Sequence, residues 1–121
     1  MRRVIIESPY KAKSRNWLVS IWQRWQNRLY ARAALLDCLH RDEAPLASHL
    51  LYPQVLDDAF DDERALGIAA GLEWTWKADA VVVYDDRGIS SGMQTGIDQA
   101  NAAMIPVEVR SLYEWSNSRC R

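Results

Sequence analysis

Apolar residues fall into two kinds of pattern along this chain, short unbroken runs and recurrences every three or four positions. Their alternation predicts strands separated by helices. Val4, Ile5 and Ile6 form the first run, inside a strand expected over 3–8. Pro9 ends that strand and holds Ser8 in extended geometry. From about Ser14 to Arg41 the pattern is helical: Trp22, Trp25, Leu29, Ala33 and Leu36 recur at spacings of three and four and read as one buried face. Arg24, Arg28 and Arg32 make a basic stripe beside it. A straight helix of that length would run roughly 42 Å, too long for a domain of this size. A break is therefore expected near 19–26, with the first part acting as a separate short helix or lid.

A second strand is expected at 44–48, followed by a turn and a short helical piece around Tyr52-Pro53. Asp61 or Asp62 can cap the next helix, whose buried face reads as Leu66, Ala69, Leu72 and Trp76. Strand three, at 79–84, holds the uninterrupted run Val81–Tyr84, as expected of a central strand covered on both faces. A helix at 91–103 and a fourth strand at 105–110, entered at Pro106, complete the pattern. Alternating strands and helices imply βαβ units with right-handed crossovers. The expectation is one α/β domain over 1–121, an open parallel sheet of four to five strands in the order 2-1-3-4, flanked by helices. Residues 111–121 read as a short tail, polar apart from Leu112, Tyr113 and Trp115.

With 121 residues, 49% hydrophobic and 26% charged, the chain has the composition of an ordinary globular domain. Its net charge of −1 argues against a general nucleic-acid binder. The charge is uneven: Arg2, Arg3, Lys11, Lys13, Arg15, Arg24, Arg28 and Arg32 face a single acid, Glu7, over 2–32, whereas 57–63 carries five acids. That asymmetry fits an anionic small ligand near the first helix, or two faces meeting in an oligomer. Cys38 and Cys120 make neither a metal site nor a disulfide scaffold, and no His, Cys or carboxylate set has metal-ligand spacing. Neither metal nor cofactor is expected. MRRVIIESPY has no long apolar core of a signal peptide, and no run approaches a membrane span, so the expected location is the cytoplasm.

The stretch with the most chemistry is AVVVYDDRGISSGM, Ala80–Met93. Asp85-Asp86-Arg87-Gly88 breaks the buried strand with turn residues, and Ser90-Ser91-Gly92 then opens a helix. Hydroxyls and free N–H groups at a helix start suit a phosphate or another anion, supported by Arg or Lys from the first helix. In an open α/β sheet, ligands bind beyond the carboxyl ends of the strands. The same residues also suit a plain Ser cap on a surface helix. GISSG is neither a dinucleotide fingerprint nor a P-loop.

Several motifs taken in order carry a family resemblance. They are Ser8-Pro9-Tyr10, Asn27-x-x-Tyr30-Ala31-Arg32 at the expected start of the main helix, and Pro45–Tyr52 (PLASHLLY). Glu63–Ile68 (ERALGI), Ala78-Asp79-x-Val81-Val82-Val83, Ser90-Ser91-Gly92-Met93, Ala100 and Ile105-Pro106-Val107 complete the series. Over roughly 3–110 the chain resembles the nucleoside 2-deoxyribosyltransferase-like superfamily, most closely its small bacterial and phage members. The resemblance implies a flavodoxin-like (Rossmann-like) fold and cleavage or exchange of N-glycosidic bonds in deoxynucleosides or their monophosphates. It also implies a homodimer or higher homo-oligomer. The family's nucleophile is a Glu four residues before an Ala, which attacks the anomeric carbon. Here that Ala is Ala100 and the matching position is Gly96, which cannot do this chemistry. Asp98 is the nearest acid, but it is rotated about 200° around the helix from Gly96.

The resemblance further implies a ligand site built from Ser8, Tyr10, Asn27, His49, Asp85, Asp86, Ser90, Ser91, Gly92 and Met93, with Asp98 as the candidate catalytic residue. Asp85 or Asp86 serves a turn equally well, and Asn27 serves equally as a cap. The segment at about 11–26 is longer than the family's connection and holds Trp17, Trp22 and Trp25, which suit stacking, an interface or an extended core. Three functions follow. The first is binding of a nucleotide-derived molecule without the usual nucleophile. The others are an active N-glycosidase or deoxyribosyltransferase, and a structural or protein-interaction module using the Trp-rich segment. Fold alone does not choose among them.

Overall fold

A computed structural model describes residues 1–112; the expected tail beyond Leu112, with Tyr113, Trp115 and Cys120, lies outside them. The elements in chain order are β1 (Arg2–Glu7), α1 (Trp17–His40), β2 (Glu43–Leu46), α2 (Ser48–Leu51), a 3-10 turn (Tyr52–Gln54), α3 (Asp61–Thr75), β3 (Ala80–Tyr84), α4 (Ser91–Ala102) and β4 (Val107–Arg110). The four strands form one sheet in the order β2-β1-β3-β4, and every pairing is parallel. This is the α/β open sheet that the alternation of patterns implies. Pro45 is tolerated because β2 is an edge strand.

Period-two alternation divides the strands between two apolar layers. Val4, Ile6, Ala80, Val82 and Tyr84 pack with Ala34 and Cys38 of α1. Ile5, Val81 and Val83 pack on the other side with Met93 and Ala100 of α4. All of β3 is buried. Continuing the alternation by two residues from Ile5 puts Glu7 on the α4 side.

Helix α1 differs from its expected form in three ways. It is a single unbroken helix of 24 residues, capped by Asn16, whose side chain accepts from the N–H groups of Leu18 and Val19. It therefore starts at Trp17, and Asn27 sits in its middle. The residues facing the sheet are Ala31, Ala34, Asp37 and Cys38, while Trp22, Trp25, Leu29 and Leu36 are exposed. Small side chains let the helix approach the sheet closely. Because the amino-terminal half projects past the core, domain size sets no limit on its length. In α3 the expected face also fails, since Leu66 and Trp76 are exposed. No side chain of Asp61 or Asp62 caps that helix; the cap position is Phe60 and the acids occupy the first turn. Among the described residues, no helix is long and apolar enough to cross a membrane.

Opposite the α4 layer, polar groups tie β4 to α1 and β2. Arg110 holds Glu43 through both guanidinium nitrogens, at 2.6 and 2.8 Å. That pairing keeps the Glu43 carboxyl below its usual range. The Tyr84 hydroxyl donates to Asp37 Oδ2 at 2.7 Å.

Candidate functional site

A cavity of about 290 Å³ opens between α3 and α4, beyond the carboxyl end of β1. This is near the lower end of the range for small-molecule sites, about 300–1,000 Å³. Glycines at 67 and 71 line its α3 side. A Cβ at Gly71 would lie 3.2 Å from Ser48 Oγ, so the bare backbone lets α3 sit close to α2.

Ser8, at the end of β1, lies 2.7 Å from His49 through its Oγ and the ring Nε2. Burial pushes the His49 imidazole down to about 4, so it is neutral near pH 7. Tyr10 meets the same ring edge-on, with centroids 6.5 Å apart. Asn27 donates from Nδ2 to the carbonyls of Tyr10 and Lys11, at 3.3 and 3.4 Å. Its role is thus to fasten the loop after β1 to α1, which neither a cap nor a kink would do.

Ser90 caps α4, its hydroxyl accepting from the Met93 N–H at 3.2 Å. The N–H groups of Ser91 and Gly92, at the first two positions of the helix, take no partner among the described residues. A second cavity, of about 350 Å³, adjoins this helix start. It shares Lys11, Ser90 and Ser91 with the first and adds Lys13, Arg87 and Asn27. The cations here come from the loop after β1 and the turn after β3, not from the arginine stripe of α1. That turn closes with Gly88 N–H donating to the Asp85 carbonyl, and Gly88 has φ +84°, a conformation that glycine adopts without strain.

Of the residues expected at a ligand site, Ser8, Tyr10, His49, Ser90, Ser91, Gly92 and Met93 line the first cavity and Asn27 lines the second. Asp85, Asp86 and Asp98 line neither. Asp86 is engaged by the Tyr30 hydroxyl, the Ser111 hydroxyl and the Leu112 N–H. Asp98 lies on the exposed side of α4, accepting from Gln94 Nε2. Among the described residues, no group of three or more His, Cys, Asp or Glu could hold a metal ion.

The carboxyl that does reach the cavity is Glu7. Its side chain comes up from β1 beneath α4 and fills the space beside Gly96. A Cβ at residue 96 would overlap Glu7 Oε1 and lie 2.5 Å from Cδ and 3.0 Å from Oε2. Burial pushes this carboxyl up to about 8. In the sequence, Glu7 stands out only as the single acid of a basic region. The available signal was its position: an ionisable group that directly continues a buried strand, with the parity of the α4 layer.

Residues 2–110 match a family model described as a domain of unknown function, DUF7768. The chain belongs to the DUF7768 family. No curated protein matches the sequence. The DUF7768 match spans all four strands and both cavities, and stops at the last residue of β4.

Proposed function

We propose that this DUF7768 domain is a cytoplasmic protein that binds a nucleotide-derived small molecule, as its resemblance to the nucleoside 2-deoxyribosyltransferase-like superfamily implies. The observation that carries the reading is the meeting of two unlike cavities at Ser90-Ser91. One is partly apolar and holds the Ser8–His49 pair and the Tyr10 ring, which suit a base and a sugar. The other offers Lys11, Lys13 and Arg87 near the free N–H groups of a helix start, which suit a phosphate. A nucleoside monophosphate is a molecule with both halves.

The test is thermal unfolding, followed by circular dichroism, with deoxynucleosides and their 5′-monophosphates at millimolar concentration. Monophosphates should raise Tm, and the double change S91F/G92L should remove the effect. A Cβ at Gly92 meets only Ser90 Oγ, at 4.0 Å, so this position accepts a side chain without distorting the helix. Equal stabilisation of the double variant, or none of the parent chain, rejects the reading.

A second reading, an interaction module, is favoured by one feature. Trp17, Leu18, Ile21, Trp22 and Trp25 are all exposed on the projecting half of α1. Homodimerisation, which the resemblance implies, would cover such a stripe. Sedimentation of the parent chain and of W22E/W25E tests it, with a monomer in both cases counting against the idea.

A further inference from the structure

We propose that the outward face of α1 docks on an anionic lipid bilayer, with the helix lying along the membrane surface. This names a partner for the exposed stripe of the interaction-module reading and stands apart from the nucleotide-binding reading. Its basis is the direction in which the large side chains of α1 point. The helix meets the sheet through small residues, Ala31, Ala34 and Cys38. At about 100° per residue, Trp25 points about 180° away from Ala34. Trp17, Leu18, Ile21, Trp22, Trp25 and Leu29 fall within an arc of about 140° around Trp25, and all are exposed. Leu36 and Leu39 carry the same face to the end of the helix and are exposed as well. The outer side of a helix packed on a sheet is ordinarily polar, so an apolar one marks a surface that something covers.

Charge selects the partner. From 8 to 36 the sequence has no Asp or Glu. Arg15 precedes the helix, and Arg24, Arg28 and Arg32 cross one edge of the apolar arc, all of them exposed. None of these four makes an ion pair among the described residues. Guanidinium groups beside indoles and aliphatic side chains are the composition of a helix lying in a bilayer interface. There the apolar groups sink about 5–10 Å, while arginine stems cover them and the heads meet lipid phosphates. Trp suits that depth because its ring is apolar and its N–H polar. A nucleic acid would leave Leu18, Ile21 and Leu29 without apolar partners. A second copy docked face to face would set arginine against arginine, with no acid in either stretch to relieve the repulsion. The α1 residues that line the second cavity, Gln23 and Asn27, lie on the inner side of the helix, and α1 contributes none to the first. Docking by the outer face therefore leaves both cavities open to small molecules.

The experiment is cosedimentation with sucrose-loaded vesicles, made either of phosphatidylglycerol and phosphatidylcholine in equal parts or of phosphatidylcholine alone. The parent chain should pellet with the anionic vesicles and far less with the neutral ones. Each cation near an anionic surface contributes about fivefold, so R24Q/R28Q/R32Q should lower the partition coefficient roughly 100-fold. W22E/W25E should abolish pelleting. Both variants alter only exposed side chains, and urea midpoints like the parent's verify that they fold. Equal pelleting with the two vesicle types, or pelleting that survives W22E/W25E, overturns the inference. No pelleting of the parent chain overturns it too. If that chain then sediments without lipid as a dimer that W22E/W25E dissociates, the interaction-module reading stands with a second copy as its partner. A monomer that binds no vesicle removes both.

Discussion

Glu7 and Gly96 compete for one volume: a Cβ on residue 96 would lie 2.5 Å from the Glu7 Cδ. The pair is coupled although neither residue bonds to the other. Gly96→Ala in the parent chain forces the Glu7 carboxyl, the free end of a flexible side chain, to swing aside and should destabilise by about 1 kcal/mol, the low end of the cost of overpacking. In a Glu7→Ala background the overlap vanishes, and alanine's advantage over glycine inside a helix, about 0.5–1 kcal/mol, should make the same change stabilising. Urea unfolding of the four proteins checks this reversal of sign. A cost that is the same in both backgrounds would contradict the geometry.

Two buried groups shape the dependence of stability on pH. Glu7 moves from an ordinary value of 4.5 to about 8 on folding, so the folded chain keeps a proton that the unfolded chain releases. Its contribution falls as pH rises through that interval. His49 moves from 6.5 to about 4, so the unfolded chain takes up a proton that the folded chain refuses, and its contribution falls as pH drops from 6.5 to 4. Between pH 4.5 and 6.5 the opposing slopes cancel. From pH 6.5 to 8 only Glu7 acts, and stability should fall by about 2 kcal/mol. Glu7→Gln should flatten that limb. Denaturant midpoints at pH 6.5 and 8 for both proteins are the measurement.

Helix α4 ends on a non-glycine residue in the left-handed region, Met104 at φ 60°. Its N–H bonds back to the Asn101 carbonyl and that of Ile105 to Ala100, the paired closure that favours glycine at this position. The Met104 side chain is 90% exposed and has little packing to lose. Met104→Gly should therefore stabilise by about 0.5–1 kcal/mol, the relief of left-handed strain less the extra freedom of the unfolded chain. A higher urea midpoint with an unchanged m-value is the expected result.

If the second cavity takes the phosphate, K13A/R87A should weaken binding of a deoxynucleoside monophosphate by roughly tenfold, about 1.4 kcal/mol. Binding of the matching deoxynucleoside should be unaffected. The difference should shrink as salt is added, because both side chains are exposed and their attraction is screened. Titration calorimetry at two ionic strengths distinguishes this from general loss of the site.

The sheet was legible because its signals are local and redundant. An unbroken Val81–Tyr84 run fixes a central strand, and Pro9 and the Asp85–Gly88 turn close the two strands that lead into the cavity. Helix faces were harder to read. On α1 the periodic tryptophans and leucines imitate a core stripe, while the real contact is made by Ala31, Ala34 and Cys38, whose small size carries little hydropathy signal. A break near 19–26 follows from helix length only if a helix must stay within its domain, and α1 does not. Along the cavities, the Ser90–Gly92 loop was legible from turn and helix-start chemistry, whereas Ser8 and Tyr10 were singled out only through the family resemblance. Glu7 could not be paired with Gly96 from the chain alone. That relationship spans 89 positions and shows only when β1 and α4 are stacked.

Five tryptophans, Trp17, Trp22, Trp25, Trp74 and Trp76, are each more than half exposed in the folded chain. Their indole rings already face water, so their fluorescence should barely change colour when the sheet comes apart. Emission from these five rings is therefore a poor measure of unfolding. The same optical silence makes these rings useful reporters: a shift to shorter wavelength would record the arrival of something that covers them.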